Sequence, residues 1–343
     1  MKVLVVDDSI LARGMIKSLL ESLGLEVIGE AGNGKKAIDA VKALRPDLLL
    51  MDVNMPEMDG ITATGKIMEE CPLPIIIFTS EDIAEVGFKA LNLGALEVVP
   101  KPDIHQMNNP EFKATFKTIL ENVSRFGSFK LKNKSGQPSS IPSPSDGLKN
   151  ILPGGKKFTA AVIGASTGGP SAVRTVLQSL PGDFPLPILL AQHIEEGFDK
   201  GYAEWLNEAA ALKVRVAEER DKPVAGEVLV APATHHLICN GPYAIWDDGP
   251  RVDNQKPSIN KMFESAAGVY KDSLLGVLLT GMGADGARGC KKIIETGGET
   301  LVQDAATSMI FGMPKAAIEM NAATLVLPLQ DIGKAMIRKA SGK

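Results

Sequence analysis

A chain of 343 residues, 44% hydrophobic and 23% charged, has an ordinary globular composition and enough length for two domains with separate cores. Its net charge of −4 offers no broad field for DNA or acidic membranes, and no apolar run is long enough to span a bilayer; a nucleic-acid partner and direct membrane insertion are therefore not expected. The three scattered cysteines, Cys71, Cys239 and Cys290, suggest neither a disulfide framework nor a zinc site, and a strand pattern at the first residues leaves no room for a signal peptide, so a reducing cytoplasm is the expected location.

The first half alternates strand and helix. Val3 to Val6 is an apolar strand ending in Asp7-Asp8, followed by Ile16, Leu19, Leu20 and Leu23 at helical spacing, with Gly24 as a stop. Val27 to Gly29 is a second strand, and Ala37, Val41 and Leu44 mark the next helix. Leu48 to Met51 runs into Asp52, Ile75 to Phe78 into Thr79 and Ser80, and Val98-Val99 into Lys101-Pro102. This alternation predicts a five-stranded parallel sheet with helices on both faces, a doubly wound α/β domain.

Asp7, Asp8, Asp52, Thr79 and Lys101 all fall just past the carboxyl ends of strands, the edge where open parallel sheets bind ligands. Three crowded carboxylates repel one another unless a cation neutralises them, and an all-oxygen set suits Mg²⁺. With the metal bound, Asp52 is placed to attack a phosphoryl group in line, while Thr79 and Lys101 hold its equatorial oxygens. Taken singly, Asp8 or Ser9 could merely cap a helix and Lys101 could be a solvated charge; five such residues at matching strand ends favour the site.

The segments VLVVDDS, PDLLLMDVNMPEMDG, Phe78 to Ser80, and VVPKP resemble the receiver domain of bacterial response regulators, over about residues 1–126. The resemblance implies a flavodoxin-like fold, Asp52 as phosphoacceptor, Mg²⁺ held by Asp7, Asp8, Asp52 and the backbone carbonyl of Asn54, and Thr79 with Lys101 as the switch pair. It also implies a cis Lys101–Pro102 bond. Val98 stands where the family often has an aromatic, which departs from aromatic rotamer switching.

Residues 127–157 read as a flexible linker. They include SGQPSSIPSPSDG and LPGGKK, rich in Ser, Pro and Gly, with Lys130, Lys132 and Lys134 as a solvated basic cluster. Residues 158–343 form the second domain. Its opening stretch, Ala161 to Pro170, reads AVIGASTGGP: an apolar strand, then Ser166 among Gly164, Gly168 and Gly169, then a proline-opened helix. The spacing fits a nucleophile elbow, a phosphate-cradling dinucleotide loop or a plain tight turn.

Helical spacing follows through Val173, Val176, Leu177 and Leu180. Strands are predicted at Ile188 to Ala191, Val214 to Val216, Val228 to Val230, Leu274 to Leu279, Thr300 to Val302 and Leu325 to Leu327, with a helix over Ser258 to Tyr270. His236 to Cys239 and Tyr243 to Trp246 flank Asn240-Gly241, a hairpin signal. The expected fold is again doubly wound α/β, mostly parallel, with an antiparallel hairpin.

A serine nucleophile needs a base, and the base an orienting carboxylate. Of the four histidines, His105 lies in the first domain, and His235 and His236 begin a hairpin strand, where packing or capping is the plain role. His193 follows a buried strand at the same sheet edge as Ser166. Asp285 follows another, in a loop whose Gly281, Gly283 and Gly286 let the backbone approach closely, so that Met282 N–H can face an oxyanion. Asp304 is a rival carboxylate better suited to local capping. The chain order Ser, His, Asp differs from that of α/β-hydrolases. A dinucleotide loop wants an acid closing the next strand, where Gln192-His193 stands.

IGASTGGP, AQHI, PSINKMFESAA, LLTGMGADGA and QDAATSMIFGMPKAA resemble the catalytic domain of the chemotaxis protein-glutamate methylesterases, over about residues 158–333. The resemblance implies Ser166 as nucleophile, His193 as base, Asp285 as its orienter, Met282 N–H as oxyanion donor, and Thr167 and Gly283 lining the site. No cofactor is expected at the esterase site. It further implies demethylation of glutamate methyl esters on chemotaxis receptors, deamidation of glutamines, and a chemotaxis histidine kinase as phosphodonor. Glu195, Lys256 and Asn260 stand where Pro, Arg and Asp are more usual and bear on substrate recognition. A non-catalytic, hydrolase-like output module is the alternative.

Overall fold

The computed structural model describes residues 1–79, 83–102, 107–134 and 156–342. Ser80 and His105 lie outside the described residues. The chain divides into two compact units, Met1–Ser140 and Ile141–Lys343.

In the first unit, β1 (Lys2–Val6), β2 (Glu26–Ala31), β3 (Leu48–Met51), β4 (Ile75–Thr79) and β5 (Glu97–Pro100) alternate with α1 (Ile10–Ser22), α2 (Gly34–Leu44), α3 (Gly60–Glu70) and α4 (Ile83–Asn92), and α5 (Pro110–Lys134) follows. The strand order β2-β1-β3-β4-β5, all parallel, is flavodoxin-like. Val3 to Val5, Leu48 to Leu50 and Ile75 to Phe78 are almost wholly buried, as continuous apolar runs in a two-sided parallel sheet should be. The helix starts follow side-chain capping: Ser9, Asn33 and Asp59 accept from Ala12 N, Lys36 N and Thr62 N. Ser9, not Asp8, caps α1.

Two expectations differ from the structure. Among the described residues the only cis peptide is Lys256–Pro257, so Lys101–Pro102 is trans, the ordinary preference of an X–Pro bond, with Lys101 N donating to Thr79 O (2.9 Å). The helix α5 also runs on to Lys134, through the first part of the stretch read as linker. Leu131 and the lysines at 130, 132 and 134 are good helix formers, and the Ser/Pro-rich sequence begins only after them. Residues 135–155 of that stretch lie outside the described residues.

In the second unit, β6 (Ala160–Ala165), α6 (Gly169–Gln178), β7 (Ile188–Gln192), α7 (Asp199–Ala209), β8 (Lys213–Val216) and β9 (Glu227–Val230) precede a hairpin, β10 (His236–Asn240) and β11 (Tyr243–Asp247). Then come α8 (Ile259–Tyr270), β12 (Leu274–Leu278), α9 (Ala287–Glu295), β13 (Glu299–Gln303), α10 (Met313–Glu319), β14 (Leu325–Leu327) and α11 (Leu329–Ser341). The sheet order is β14-β13-β12-β6-β7-β9-β8, parallel throughout, and the hairpin forms a separate two-stranded sheet. Asn240 pairs with Tyr243, so the hairpin loop is Gly241-Pro242 rather than Asn240-Gly241; Gly241 at φ +58° takes the first loop position, where a mirror-type turn needs a positive φ.

From β6 the chain steps one way to β7 and later the other way to β12, so the switch point lies at β6. Here α8 lies close on the sheet: a Cβ on Gly164 would come within 2.3 Å of Ile259 Cγ2, which only glycine avoids. The three central strands β12, β6 and β7 carry fully buried Val277, Ile163 and Leu190. Replacing Ile163 by Ala should therefore destabilise this unit by roughly 2–5 kcal/mol, read as a lower urea midpoint with an unchanged m-value.

Candidate active site

The loops after β12, β6 and β7 carry three sequence-predicted residues: the side chains of His193 and Asp285 meet, whereas Ser166 adjoins them through main-chain bonds and its hydroxyl makes no hydrogen bond with the imidazole. Ser166 follows β6, and its amide donates to Thr280 O (3.0 Å) in the loop after β12. His193 follows β7, and its amide donates to Ala165 O (3.0 Å), the residue before Ser166. A Cβ on Gly281 would lie 2.7 Å from Ser166 Cβ, so glycine there lets the loop after β12 close onto the serine. Ser166 is not among the residues with positive φ; Gly168 takes that conformation instead (φ +73°), so the strained serine of a nucleophile elbow is not present.

The imidazole of His193 meets Asp285 through Nε2, 2.8 Å from Oδ2. Asp285 also accepts from Ser258 Oγ (3.1 Å), Ile259 N (2.8 Å), Asn260 N (2.8 Å) and Gly286 N (3.0 Å). The carboxylate is thus held by the first amides of α8, where the helix field favours negative charge. Burial pushes its pKa up, but the His193 hydrogen bond and charge and the Asn260 and Ile259 amides outweigh burial, and the carboxyl lies below the usual range. In the neutral ring an ionised acceptor places the proton on Nε2, which leaves Nδ1 as a lone pair. That Nδ1 is buried and has no hydrogen-bond partner.

Met282 is partly buried and Gly283 is exposed at φ +80°. Neither Met282 N–H nor Thr167 N–H donates to another group of the described residues, so both remain available to an incoming oxygen. Asp304 is elsewhere engaged: it accepts from Thr307 N (2.9 Å) and Thr307 Oγ1 (2.6 Å), capping a turn after β13. His235 stacks on Trp246 (4.7 Å between ring centroids) and pairs with Asp248 (3.0 Å).

Two residues support this arrangement: His236, in the packing or capping role expected of it, and Asn260, whose structural role the sequence does not show. Fully buried His236 accepts from Ser258 N (3.0 Å) through Nδ1, which makes Nε2 the donor to Pro250 O, and so holds the cap of α8. Burial keeps its pKa below the usual imidazole value, consistent with a neutral ring. Asn260, one of the three departures noted above, accepts from Gly286 N and Gly289 N (both 2.9 Å), tying α8 to the start of α9. Lys256 instead reaches Asp248 O (3.3 Å), and Glu195 is exposed.

In the first unit, ligand oxygens of Asp7, Asp8 and Asp52 lie within 4.8 Å of one another at the β1/β3 switch point. Lys101 Nζ bridges Asp7 Oδ2 (2.6 Å) and Asp52 Oδ2 (2.9 Å). Burial works against the lysine charge, but the two carboxylates outweigh it and hold the ammonium pKa above its usual value. Thr79 is fully buried at the end of β4, and Asn54 is exposed. Three carboxylates against one ammonium leave a formal surplus of two negative charges on hard oxygen donors, which fits a magnesium-sized dication. Gly60 was not foreseen: a Cβ there would lie 1.9 Å from the Asp52 carbonyl oxygen, so glycine lets α3 start against the acidic loop.

Two family models match: the response regulator receiver domain over residues 3–109 and CheB methylesterase over residues 161–336. The chain belongs to the CheB methylesterase family, with a receiver domain ahead of the esterase domain. It is 39% identical to protein-glutamate methylesterase/protein-glutamine glutaminase 2 of Anaeromyxobacter dehalogenans, covering 98% of this chain and 96% of that one. It is 36% identical to a protein of the same activity name from Archaeoglobus fulgidus, covering 98% and 97%. The crystal structure of the Thermotoga maritima CheB methylesterase catalytic domain matches at 35% identity and TM-score 0.51, covering 53% of this chain and 98% of that chain. Neither a non-catalytic output nor a dinucleotide loop is favoured by these likenesses. No helix of the described residues is long and apolar enough to cross a membrane.

Because the folded pKa of Asp285 is depressed, its contribution to stability is complete above the unfolded carboxyl value and is lost as pH falls through the folded value. Asp285→Asn should therefore cost about 3 kcal/mol at pH 7. That deficit should shrink below about pH 4, as measured by urea unfolding of both proteins across pH.

Proposed function

We propose that this chain is a phosphorylation-regulated serine hydrolase that removes methyl groups from glutamate methyl esters of chemotaxis receptors and deamidates glutamines at such sites. The observation that carries the reading is the His193 Nε2–Asp285 pair at 2.8 Å with Nδ1 left bare, beside the strand end that bears Ser166.

His193 Nδ1 takes the hydroxyl proton of Ser166 as Oγ attacks the γ-carbonyl of the methylated glutamate. The developing imidazolium is stabilised by Asp285, already ionised and fully hydrogen-bonded. Met282 N–H and Thr167 N–H meet the oxyanion, with Gly283 leaving the loop open to the substrate. The C–OCH₃ bond breaks, and the proton on His193 leaves with methanol. Water, deprotonated by the same nitrogen, then hydrolyses the acyl-serine and returns the proton to Ser166. A glutamine carboxamide has nearly the same shape and loses ammonia by the same route. The relatives' shared name, which pairs methylesterase with glutaminase, supports both activities.

In the receiver domain Asp52 is the phosphoacceptor. Asp7, Asp8, Asp52 and the Asn54 carbonyl would hold a Mg²⁺ ion, whose charge offsets that of the phosphoryl oxygens. Thr79 and Lys101 act as the switch pair that reads the phosphoryl group, and Lys101 leaves its two-carboxylate bridge to do so. The phosphodonor is a chemotaxis histidine kinase. Location in the cytoplasm follows from this pairing of kinase and receptor domains.

Methanol release from methylated receptor membranes tests the reading. Wild type should release methanol faster in the presence of a small phosphodonor and Mg²⁺. Ser166→Ala should lose about 10³-fold or more in rate. Asp52→Asn should keep basal release but lose the response to phosphodonor. Absence of release from wild type under all these conditions would exclude the esterase. Ammonia release from receptors carrying glutamine at the same sites, abolished by Ser166→Ala, is the expected companion result.

A further inference from the structure

One buried side chain beside Ser166 has no part in the mechanism above. Gln192 ends β7 and is 2% exposed. Its Nε2 donates to two main-chain carbonyls, Ser166 O (2.8 Å) and His193 O (3.0 Å). Gly169 N donates to the same Ser166 oxygen (2.7 Å). Its own Oε1 is buried without a partner, and a Cβ on Gly169 would lie 2.2 Å from it, so glycine at 169 makes room for this amide. A buried acceptor left unpaired is destabilising, and an apolar side chain of the same length would fill the space without that cost.

The direction of the pull matters. Within a trans peptide the carbonyl and the following N–H point in opposite directions. Drawing the Ser166 carbonyl towards Gln192 therefore turns Thr167 N–H the other way, and that N–H makes no hydrogen bond with the described residues. The next peptide is fixed as well, because Thr280 Oγ1 donates to Thr167 O (3.0 Å).

We propose that Gln192 is a positioning residue for the esterase reaction: holding the Ser166 carbonyl, it aims Thr167 N–H at the oxyanion, and holding the His193 carbonyl, it fixes the base's strand end beside the nucleophile. The proposal rests on the assignment of Ser166, His193 and Asp285 made above. Gln192 touches the main chain and not the imidazole, so it acts on oxyanion stabilisation.

The test uses full-length protein, methylated receptor membranes and saturating phosphodonor, with Gln192→Met, Gln192→Glu and Ser166→Ala. Methionine keeps the length and removes both donors; glutamate keeps the shape and turns acceptors towards both carbonyls. Rates are taken per folded molecule, from each variant's thermal melt. Gln192→Met should lower kcat about 10²-fold and Gln192→Glu at least as much, with KM within about twofold of wild type and the pH midpoint of kcat/KM unmoved. A Gln192→Met kcat within about threefold of wild type, or a loss confined to KM, would overturn the proposal while an inactive Ser166→Ala leaves the nucleophile assignment standing. An active Ser166→Ala would instead overturn the assignment itself, and this proposal with it.

Discussion

The buried charge of Asp285 is the constraint on which the catalytic unit depends. An ionised carboxylate out of contact with water is costly unless its lone pairs are used. Here five donors use them: His193 Nε2, Ser258 Oγ and the amides of Ile259, Asn260 and Gly286. The same bonds that stabilise the charge dock the start of α8 against the loop after β12. They also fix the imidazole by one nitrogen, which leaves the other without a partner. His236 and Asn260 extend this arrangement, one holding the amide of the Ser258 cap and the other the first amides of α9.

The two units use the same sheet edge in opposite electrostatic ways. At the receiver's β1/β3 switch point the strand ends supply carboxylates, and their mutual repulsion is partly relieved by Lys101. At the β6 switch point of the esterase unit the strand ends supply one compensated carboxylate and uncharged amide N–H groups. The first edge is suited to holding a phosphoryl group through metal and lysine. The second is suited to a negative oxygen that exists only briefly, for which neutral, pre-aimed donors are better than a fixed cation. In both, a glycine permits a close approach: Gly60 against the Asp52 carbonyl, Gly281 against Ser166.

Strand ends were the legible part of both units. Apolar runs such as VLVV, LLLM and IIIF are unmistakable in parallel sheets, and the polar residue closing each run marks the binding edge. The positions of Ser166, His193 and Asp285 could be read in this way. What surrounds them could not. The partners of Asp285 on α8, the ring nitrogen that His193 presents and the two carbonyls taken by Gln192 are set by contacts between segments without any shared periodicity. Local turn detail was also beyond the pattern: Asn240-Gly241 carries the stronger hairpin signal, yet the strands pair so that Gly241-Pro242 forms the loop. Gly127 and the polar residues after it look like a boundary in the sequence, yet the lysines beyond them continue α5 to Lys134.

The wide spacing of the site along the chain has a consequence for synthesis. His193 and Asp285 are 92 positions apart, and β12, which delivers the carboxylate, enters the sheet only after the hairpin and α8 have been made. A ribosome-bound or clipped chain that stops short of β12 holds a serine and an imidazole but lacks the anchor that sets the ring. On the assignment of Ser166, His193 and Asp285 proposed above, the site is therefore completed late in synthesis, when β12 and the loop after it join the sheet.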